Sequence, residues 1–439
     1  MNFFEFTLQL NGFPIKEAKK RLQEIQDIPE EHYESYVIEQ RKNIVDFHLE
    51  NNPFYKSFLG KSSVEKWEDI PVMQKKDLQV PLKKRLSKGF TVNNCYINKT
   101  SGSSGHPLIF AKDKFSHALT WAEIIDRFGW FGIDFNKSFQ ARFYGIPLDF
   151  LGYQKERLKD RFSNRFRFPI FDLSDSKLNE FLKIFKKEKF FFINGHTSSI
   201  VLFAKFLKKK NIQLTSVCPT LKYCVVTSEM LYDLDKKLLQ TTFGVPVINE
   251  YGASELDLIA FTDKEDDFIV NSETLFVEIV DENNSVLPDG EVGRVVVTSL
   301  YNKAQPIIRY DVGDLGVLDT NSTFKKPVLQ KLIGRANDFA QLPSGKTIPG
   351  HTFYYITKSI VEDDGNVKEF IVEQSNVDAF KIIYVSEREL SKVEYTKVKK
   401  ALANYVESNL NLTFERVEIL HRKRSGKLKQ FTSLLKKQP

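Results

Sequence analysis

The spacing of hydrophobic and polar residues changes character several times along this chain, and each change predicts a different kind of structure. From residue 15 to residue 60, apolar side chains recur at roughly helical spacing among lysines and glutamates, and Pro29 marks the expected break. We expect this segment to form a helical packing layer that carries no chemistry.

Predicted strands and helices alternate in the middle of the chain, between residues 177 and 252. In order, they are a strand at 190–193, a helix at 198–209, a strand at 221–226, a helix at 229–241 and a strand at 246–248. This alternation is typical of a parallel sheet that helices cover on both faces. Ligands bind beyond the carboxyl ends of such strands, which makes the segments there site candidates. These segments are 194–196, 227–229 and 249–252.

The remaining chain combines two further patterns. Apolar and polar residues alternate between 267 and 333, which predicts an antiparallel, strand-rich subdomain. After about residue 338 the predicted elements are a helix at 353–361, strands at 368–373 and 379–385, a helix at 391–408 and a strand at 415–420. The expected fold class is α/β, with parallel sheets flanked by helices and the strand-rich subdomain in a large N-terminal portion (1–337), and a small, mobile α+β lid domain (338–439).

Composition narrows the class of protein only slightly. A length of 439 residues predicts two or three domains, and 41% hydrophobic with 28% charged residues is typical of a soluble globular protein. The net charge of +7 is compatible with polyphosphate ligands, nucleic acid or an anionic membrane, so it decides nothing. Three cysteines without a CxxC pair favour the reducing cytoplasm, and we expect neither a signal peptide nor membrane insertion.

A turn rich in serine and glycine is the strongest local signal for chemistry. Its residues are Thr100, Ser101, Gly102, Ser103, Ser104 and Gly105. Two glycines and four hydroxyls allow the backbone N–H groups of the turn to converge on phosphate oxygens. The GK[ST] ending of a P-loop is missing, which excludes that class of nucleotide-binding protein. A flexible surface loop is the alternative that this stretch alone leaves open.

Four shorter motifs carry carboxylates or basic residues at predicted turns. They are Tyr251-Gly252-Ala253-Ser254-Glu255, Arg309-Tyr310-Asp311-Val312-Gly313-Asp314, Gly334-Arg335-Ala336-Asn337-Asp338 and Arg424-Ser425-Gly426-Lys427. A carboxylate just after a parallel strand could hold Mg²⁺, and one at a tight turn could accept both hydroxyls of a ribose. Taken singly, each motif is also compatible with an ordinary turn.

Together and in this order, the five motifs resemble the adenylate-forming superfamily of acyl-CoA synthetases, luciferases and peptide-synthetase adenylation domains. From about residue 60 to the end, the chain looks most like the short phenylacetate-CoA ligase and capsule-biosynthesis CapK branch. The resemblance implies an ATP-phosphate loop at residues 100–105 with Ser254, Mg²⁺ on Glu255, catalytic roles for Glu255 and Lys427, and a hinge at Asp338. It implies an adenine and ribose pocket at Ser228, Glu229, Asn249, Glu250, Tyr251, Gly252, Asp314 and Arg335.

The acyl pocket is less defined by the sequence than the nucleotide site. His196, at the ligand edge of the predicted sheet, is a candidate for lining it, together with Tyr144 and Gly145; a structural role for this histidine is the alternative. The chain also departs from the pattern that it resembles. His106 replaces the usual lysine after the phosphate loop, Ser254 replaces a threonine, and Asp311 replaces an arginine for which Arg309 could substitute.

The resemblance implies an AMP-forming acid–thiol ligase. It would convert MgATP and a small-molecule carboxylic acid into an acyl-AMP and pyrophosphate, and transfer the acyl group to a thiol, coenzyme A. The alternatives are transfer to an amine or hydroxyl in polysaccharide biosynthesis, and a non-catalytic nucleotide-binding scaffold. The basic run 421–424 has no interleaved aromatic residues, so we expect no nucleic-acid partner. The residues leave the acid, the acceptor and the oligomeric state open.

Overall fold

The structure is a computed structural model, and it describes residues 3–61, 63–100, 107–145, 150–335, 339–349, 366–422 and 428–435. Within these residues the helices are α1 (Phe3–Leu10), α2 (Ile15–Gln26), α3 (Glu30–Asn51), α4 (Pro53–Leu59), α5 (Leu82–Arg85), α6 (Lys114–Gly129), α7 (Phe150–Phe162), α8 (Asp175–Lys187), α9 (Thr197–Lys209), α10 (Leu214–Val217), α11 (Asp233–Phe243) and α12 (Lys392–Tyr405). No helix among them is long and apolar enough to cross a membrane.

The strands follow the same chain order and fall into several sheets. They are β1 (Tyr96–Lys99), β2 (Ile109–Lys112), β3 (Gln140–Phe143), β4 (Arg165–Phe168), β5 (Phe192–His196), β6 (Tyr223–Thr227), β7 (Val247–Ala253), β8 (Asp257–Thr262), β9 (Phe268–Val270), β10 (Leu275–Val280), β11 (Gly293–Ser299), β12 (Tyr310–Leu318), β13 (Leu329–Arg335), β14 (Phe339–Gln341), β15 (Thr347–Pro349), β16 (Val367–Gln374), β17 (Ala379–Ser386), β18 (Asn411–Arg416) and β19 (Phe431–Ser433).

The chain divides into two compact units. The first consists of Met1–Gln140, Lys155–Phe166 and Ile248–Leu332, and the second of Ala141–Gln154, Arg167–Val247 and Ile333–Pro439. The sequence pattern places a boundary near residue 338 instead. The division into an N-terminal portion (1–337) and a lid (338–439) stays a prediction.

The first unit is built from N-terminal helices and antiparallel strands. β1 and β2 form a hairpin, β8 pairs antiparallel with both β7 and β9, and β10, β11 and β12 form an antiparallel sheet that continues into β13. Residues from α3 and α4, from the strands β7 to β9 and from the β10–β13 sheet share one buried apolar cluster. Tyr251, Leu256, Tyr310 and Leu108 belong to this cluster, so the second and third sequence motifs sit on a packed core.

The second unit contains a parallel β-structure and the C-terminal elements. β5 and β6 pair in parallel, and the phenylalanines of this unit stack against one another around Phe168 and Phe185, whose rings lie 5.1 Å apart. The C-terminal strands form a mixed sheet in the order β18-β17-β16-β19. Many phenylalanines of this unit are therefore core residues.

Most predicted elements are confirmed, and several bounds are corrected. Pro29 does separate two helices, α2 and α3, and the strands and helices predicted between 190 and 248 all exist. The strand predicted to end at residue 248 continues to Ala253, because β8 pairs with it antiparallel as far as that residue. Residues 249–252 therefore lie inside a strand and do not follow one.

The C-terminal predictions are confirmed in part. β16, β17 and α12 lie where the pattern predicts them, whereas the strand predicted at 415–420 is found four residues earlier as β18, where it pairs in parallel with β17. The pairing of residues 411–416 with β17, and not the composition of the segment, decides where this strand lies. The helix predicted at 353–361 lies outside the described residues.

Candidate active site

The serine- and glycine-rich turn connects the two strands of the β1–β2 hairpin. Thr100 and Leu108 close its base: the Thr100 N–H donates to the Leu108 carbonyl at 2.9 Å, and the Leu108 N–H donates to Thr100 Oγ1 at 2.9 Å. The hydroxyl oxygen of Thr100 therefore accepts a hydrogen bond that closes the base of the turn. The other predicted phosphate-loop residues, Ser101, Gly102, Ser103, Ser104 and Gly105, lie outside the described residues, as does His106.

Two tyrosine–carboxylate hydrogen bonds join the second and third motifs crosswise. The Tyr251 hydroxyl donates to Asp314 Oδ2, and the Tyr310 hydroxyl donates to Glu255 Oε1, both at 2.8 Å. Each motif supplies one tyrosine and one carboxylate. Both carboxylates are buried, with 8% of Glu255 and 7% of Asp314 exposed. Glu255, which is predicted to hold Mg²⁺, is thus oriented by a tyrosine of the third motif. Asp314, which is predicted to hold the ribose, is oriented by a tyrosine of the second motif. All four residues belong to the first unit.

A backbone bulge sets the direction of the turn that carries Glu255. The register of β7 against β8 shifts between Tyr251 and Gly252. A Cβ atom on Gly252 would lie 2.1 Å from the carbonyl oxygen of Asp257, so only glycine fits there. Asp257 has a positive φ of 58° and forms an ion pair with the buried Lys112 at the end of β2. This pair ties the strand that follows the phosphate loop to the strand that follows Glu255.

The remaining predicted residues of the second motif are less enclosed. Ser254 is exposed, and Asn249 and Glu250 are half-buried within β7. The backbone of Asn249 bonds to the side chain of Thr262, since its N–H donates to Thr262 Oγ1 at 3.1 Å. Direct hydrogen bonds therefore join Tyr251 to Asp314 and Tyr310 to Glu255, while Ser254 is exposed in the turn that carries Glu255.

Arg309 does not substitute for the arginine that Asp311 replaces. Its side chain is 1% exposed, pairs with the buried Glu278 at 3.3 Å, and donates to the carbonyl of Ile70 at 2.8 Å. These contacts hold it inside the core of the first unit. Asp311 itself accepts from Arg294 at 2.8 Å. The sequence hypothesis about Arg309 is therefore wrong, because burial and pairing commit its guanidinium elsewhere.

The second unit holds the predicted acyl-pocket residues, and two of them are in contact. The rings of Tyr144 and His196 lie 4.8 Å apart, and His196, the last residue of β5, is 4% exposed. Gly145 accepts a hydrogen bond at its carbonyl from Arg167 at 2.9 Å, and a Cβ atom there would lie 2.9 Å from the Phe171 ring. Tyr144, Gly145 and His196 thus occupy one neighbourhood, where space beside the backbone is limited.

Ser228 and Glu229 follow β6 directly, as the sequence predicts. Ser228 is exposed and has a positive φ of 71°. Both carboxylate oxygens of Glu229 accept backbone N–H groups: Oε2 accepts from Ser198 at 2.7 Å, and Oε1 accepts from Leu428 at 2.9 Å. Glu229 therefore connects the start of α9 to the residue that follows Lys427 in the sequence.

Two of the residues that the sequence assigns to the hinge and to the adenylation step lie outside the described residues. These two are Asp338 and Lys427, whereas Arg335 is the last residue of β13. Residues on either side of 423–427 are described: Arg422 donates to Ser198 Oγ in α9 at 2.8 Å, and the Leu428 N–H donates to Glu229, which follows β6. The predicted roles of Lys427, Asp338 and Arg335 stay predictions.

Sequence reasoning missed Tyr310, Lys112, Ser198 and Arg422. Tyr310 stands inside the third motif, yet a tyrosine beside two carboxylates carries no signal for a bond to a third carboxylate 55 residues away. Arg422 belongs to the basic run 421–424, whose charge pattern gave no partner. In each case the partner comes from a distant segment, which no local pattern indicates.

The carboxylate of Glu255 suits a magnesium ion that is also bound by a substrate. Among the described residues there is no group of three or more His, Cys, Asp and Glu side chains that could hold a metal ion by themselves. Mg²⁺ in phosphate-transfer sites is commonly held by one or two carboxylates together with substrate phosphates. A single buried carboxylate, oriented by Tyr310, fits that mode of binding.

Comparison of the whole sequence finds relatives that agree with the motifs. No protein-family model matches the chain. Protein CapK from Staphylococcus aureus is 23% identical over 433 residues, which cover 94% of this chain and 90% of that protein. The phenylacetate-coenzyme A ligase of Pseudomonas putida is 28% identical over 108 residues, or 24% of this chain and 25% of the ligase.

Comparison of the structure gives the same grouping. A 2-hydroxyisobutyryl-CoA ligase, solved in the postadenylation state with R3-HIB-AMP, superposes with a TM-score of 0.72 at 15% identity and covers 93% of this chain and 91% of that one. At this identity the likeness shows the fold. The predicted α/β fold class is confirmed, and so is the resemblance that the five motifs indicated.

Proposed function

We propose that this chain, whose sequence relatives and fold are those of AMP-forming ligases of the adenylate-forming superfamily, uses MgATP to convert a carboxylic acid into an acyl-adenylate and pyrophosphate. The acyl group then passes to an acceptor, for which coenzyme A is the first candidate. The observation that carries this proposal is the crossed pair of hydrogen bonds from Tyr251 to Asp314 and from Tyr310 to Glu255. They orient the two buried carboxylates that the resemblance assigns to the ribose and to the metal.

In the first half-reaction, a carboxylate oxygen of the acid bonds to the α-phosphorus of ATP, and pyrophosphate leaves. Negative charge gathers on the α-phosphate as the bond forms. Bound Mg²⁺ would supply positive charge there, held by Glu255, which Tyr310 keeps oriented. Lys427 would supply a second positive charge. Asp314 would accept the ribose hydroxyls while Tyr251 fixes its carboxylate.

The other sequence assignments enter as part of the same proposal. Residues 101–105 and Ser254 would contact the ATP phosphates, and Ser228, Asn249, Glu250 and Arg335 the adenosine. Tyr144, Gly145 and His196 would line the acyl pocket, which the 4.8 Å ring contact between Tyr144 and His196 supports. Asp338 would be the hinge of a lid, because a lysine placed for adenylation obstructs the second nucleophile.

A second candidate keeps the adenylation step and changes the acceptor. CapK is a relative that matches over 94% of this chain, whereas the coenzyme A ligase of Pseudomonas putida matches over 24% of it. This difference favours testing an amine or a sugar hydroxyl as the acceptor, in a polysaccharide-forming reaction. The chemistry of the first half-reaction is the same in both candidates.

The test is pyrophosphate release from MgATP across a panel of aryl, fatty and amino acids. The panel is run with and without coenzyme A, for the native protein and for Lys427→Ala. We expect release that depends on one class of acid, and a fall of about 10²–10³-fold in the variant, which is the usual effect of removing one transition-state donor. ATP binding without release for any acid would favour the nucleotide-binding scaffold.

A further inference from the structure

The turn that carries Glu255 ends at a residue whose backbone conformation is unfavourable. The Leu256 N–H donates to the Ala253 carbonyl at 3.0 Å and closes the turn, and Asp257 follows with a φ of 58°. A left-handed backbone costs a non-glycine residue free energy, although aspartate adopts it more readily than most residues do. Such a conformation persists only where the surrounding contacts hold it. The conformation of the turn therefore depends on the contacts of Asp257.

An ion pair holds the side chain of Asp257. Lys112, the last residue of β2, donates from Nζ to Asp257 Oδ2. The Lys112 side chain is 4% exposed and the Asp257 side chain 23%. A lysine at this depth has lost its hydration, and a charged partner offsets that loss. Removing one partner of a buried pair leaves the other charge uncompensated, so this pair strongly disfavours movement of Asp257 away from β2.

Other contacts anchor the backbone on both sides of Lys112. In the β1–β2 hairpin, Lys112 lies opposite Tyr96. The preceding residue, Ala111, donates its N–H to Gln305 Oε1 at 3.0 Å. The following residue, Asp113, caps the start of α6 with its side chain. Because none of these contacts involves the turn at 253–257, Lys112 is the fixed partner of the ion pair and the turn is the part that it positions.

The conformation of Asp257 decides where the carboxylate of Glu255 lies. Glu255 stands two residues before Asp257, and its Oε1 accepts the Tyr310 hydroxyl at 2.8 Å. The Asp257 carbonyl oxygen would lie 2.1 Å from a Cβ atom on Gly252, so the two backbones of the hairpin are already in close approach. A displacement of Asp257 would therefore shift the whole turn and move Glu255 away from Tyr310.

We propose that Lys112 is a positioning residue for Glu255, which it serves through its ion pair with Asp257. The pair holds the turn in the conformation that presents Glu255 to Tyr310. The proposal rests on the proposed function for the role of Glu255 as a ligand of Mg²⁺. Lys112 acts through the protein and needs no contact with a substrate. Loss of the pair should therefore weaken Mg²⁺ binding and leave the binding of the acid unchanged.

The first test requires no substrate. Hydrogen–deuterium exchange of the full-length protein is followed at the Leu256 amide for the native chain, Lys112→Met and Asp257→Asn. Losing one hydrogen bond to a charged group changes an opening equilibrium by about 10–100-fold. We expect Leu256 exchange to accelerate by about that factor in Lys112→Met. Asp257→Asn should have a smaller effect, because asparagine adopts the left-handed conformation and keeps one oxygen that can accept from Lys112.

An exposed ion pair in the same unit provides the matched control. Lys42 on α3 pairs with Asp46, four residues away on the same helix, and their side chains are 75% and 49% exposed. Pairs of this kind contribute little to stability. Lys42→Met makes the same chemical change as Lys112→Met and should leave Leu256 exchange unchanged.

A reference amide separates local opening of the turn from general destabilisation. The Leu300 N–H donates to the Thr274 carbonyl at 2.9 Å, outside the turn and in the same unit. Leu300 exchange that accelerates as much as Leu256 exchange in Lys112→Met would contradict a positioning role. Unchanged Leu256 exchange in both variants would overturn the proposal. If Lys112→Met does not fold, Asp257→Asn carries the test.

The second test measures the Mg²⁺ requirement with the acid that the pyrophosphate panel identifies. In Lys112→Met, we expect the Mg²⁺ concentration for half-maximal pyrophosphate release to rise by about tenfold, while the KM for the acid changes by less than about twofold. Equal changes in the two constants would contradict the positioning role. If the native protein releases no pyrophosphate with any acid, the proposed function fails, while the exchange result still decides whether Lys112 holds the turn.

Discussion

At the scale of single residues, the hydroxyl groups of Tyr310 and Tyr251 make the clearest predictions, because each orients a different carboxylate. Tyr310→Phe removes the hydrogen bond to Glu255. A bond to a charged group contributes about 1.5–3 kcal/mol, so adenylation should slow by roughly tenfold or more. Because Glu255 is assigned to the metal, the variant should also need more Mg²⁺ for half-maximal pyrophosphate release.

Tyr251→Phe is the matched control for that variant. It removes the hydrogen bond to Asp314, the residue assigned to the ribose. We expect it to raise the KM for ATP and to leave the Mg²⁺ requirement close to that of the native protein. If both variants shift the same kinetic constant, the separate assignments of Glu255 and Asp314 are wrong.

The buried His48 predicts how stability depends on pH. Its Nε2–H donates to the Asn302 carbonyl at 3.0 Å, and the Ser87 hydroxyl lies 3.2 Å from Nδ1, so the neutral ring satisfies both contacts. Burial lowers the pKa of His48 to about 4. In the unfolded chain the pKa of this histidine is about 6.5, so as the pH falls the unfolded chain binds a proton before the folded protein does. The folded state therefore loses stability as the pH falls from about 6.5 to about 4.

The loss of folding stability on acidification is large enough to be measured. Integrated from pH 7.5 to pH 5, a shift of this size costs about 2 kcal/mol. Burial also lowers the pKa of His117 to about 4, so two groups contribute in the same direction. In urea unfolding between pH 7.5 and pH 5, acidification should cost the His48→Gln variant about 2 kcal/mol less stability than it costs the native protein. A variant with undiminished sensitivity would show that His48 is not a source of it.

At this scale, sequence alone selects Glu255 and Asp314 as candidate site residues, and it misses their hydrogen-bond partners. Both stand in motifs whose order is recognisable, and the structure bonds Glu255 to Tyr310 and Asp314 to Tyr251. Arg309 stands in the same motif and turns inward to Glu278. A local pattern gives the residue type and the turn, whereas the direction of a side chain depends on what distant segments bury beside it.

At the scale of elements, the β7–β8 bulge makes a prediction about Gly252. In Gly252→Ala the new Cβ would lie 2.1 Å from the Asp257 carbonyl oxygen, so the backbone must shift. Overpacking of this kind costs about 1–3 kcal/mol, and the shift displaces the turn that carries Glu255. We expect a lower midpoint of thermal unfolding together with slower pyrophosphate release.

Gly129 provides the control, since it lies in α6 and a Cβ atom there meets nothing within 4 Å. Gly129→Ala should leave the midpoint unchanged or raise it, because alanine is favoured over glycine in a helix by up to about 1 kcal/mol. A Gly252→Ala variant as stable and as active as Gly129→Ala would show that the bulge does not constrain the turn.

Elements could be predicted from sequence where apolar spacing alone decides them, as in α2, α3, α9 and β16. The errors in the predicted strand bounds occur where pairing with a neighbouring strand decides those bounds. β7 extends through the polar residues 249–252 because β8 pairs with them, and β18 begins four residues before its predicted position because β17 pairs with residues 411–416. Composition cannot show which neighbouring strand is present.

At the scale of the whole molecule, the compact units are formed by contacts between segments that are far apart in the sequence. A change of pattern suggests a boundary near residue 338, yet residues 167–247 form one compact unit with residues 333–439. Tyr232 packs into the same apolar cluster as Phe370 and Phe431 of the C-terminal sheet, and its hydroxyl donates to Gln430 at 2.8 Å. These contacts join segments separated by more than 130 residues.

The central claim is that this chain joins a carboxylate oxygen to the α-phosphorus of ATP, and the fate of that oxygen tests it most directly. The acid found in the pyrophosphate panel is labelled with ¹⁸O in its carboxylate and incubated with MgATP, the acyl acceptor and the protein, and the phosphate products are analysed by mass spectrometry. The account predicts AMP that carries one ¹⁸O atom, because acyl transfer breaks the bond between carbonyl carbon and oxygen. Label in inorganic phosphate together with ADP, and none in AMP, would contradict it.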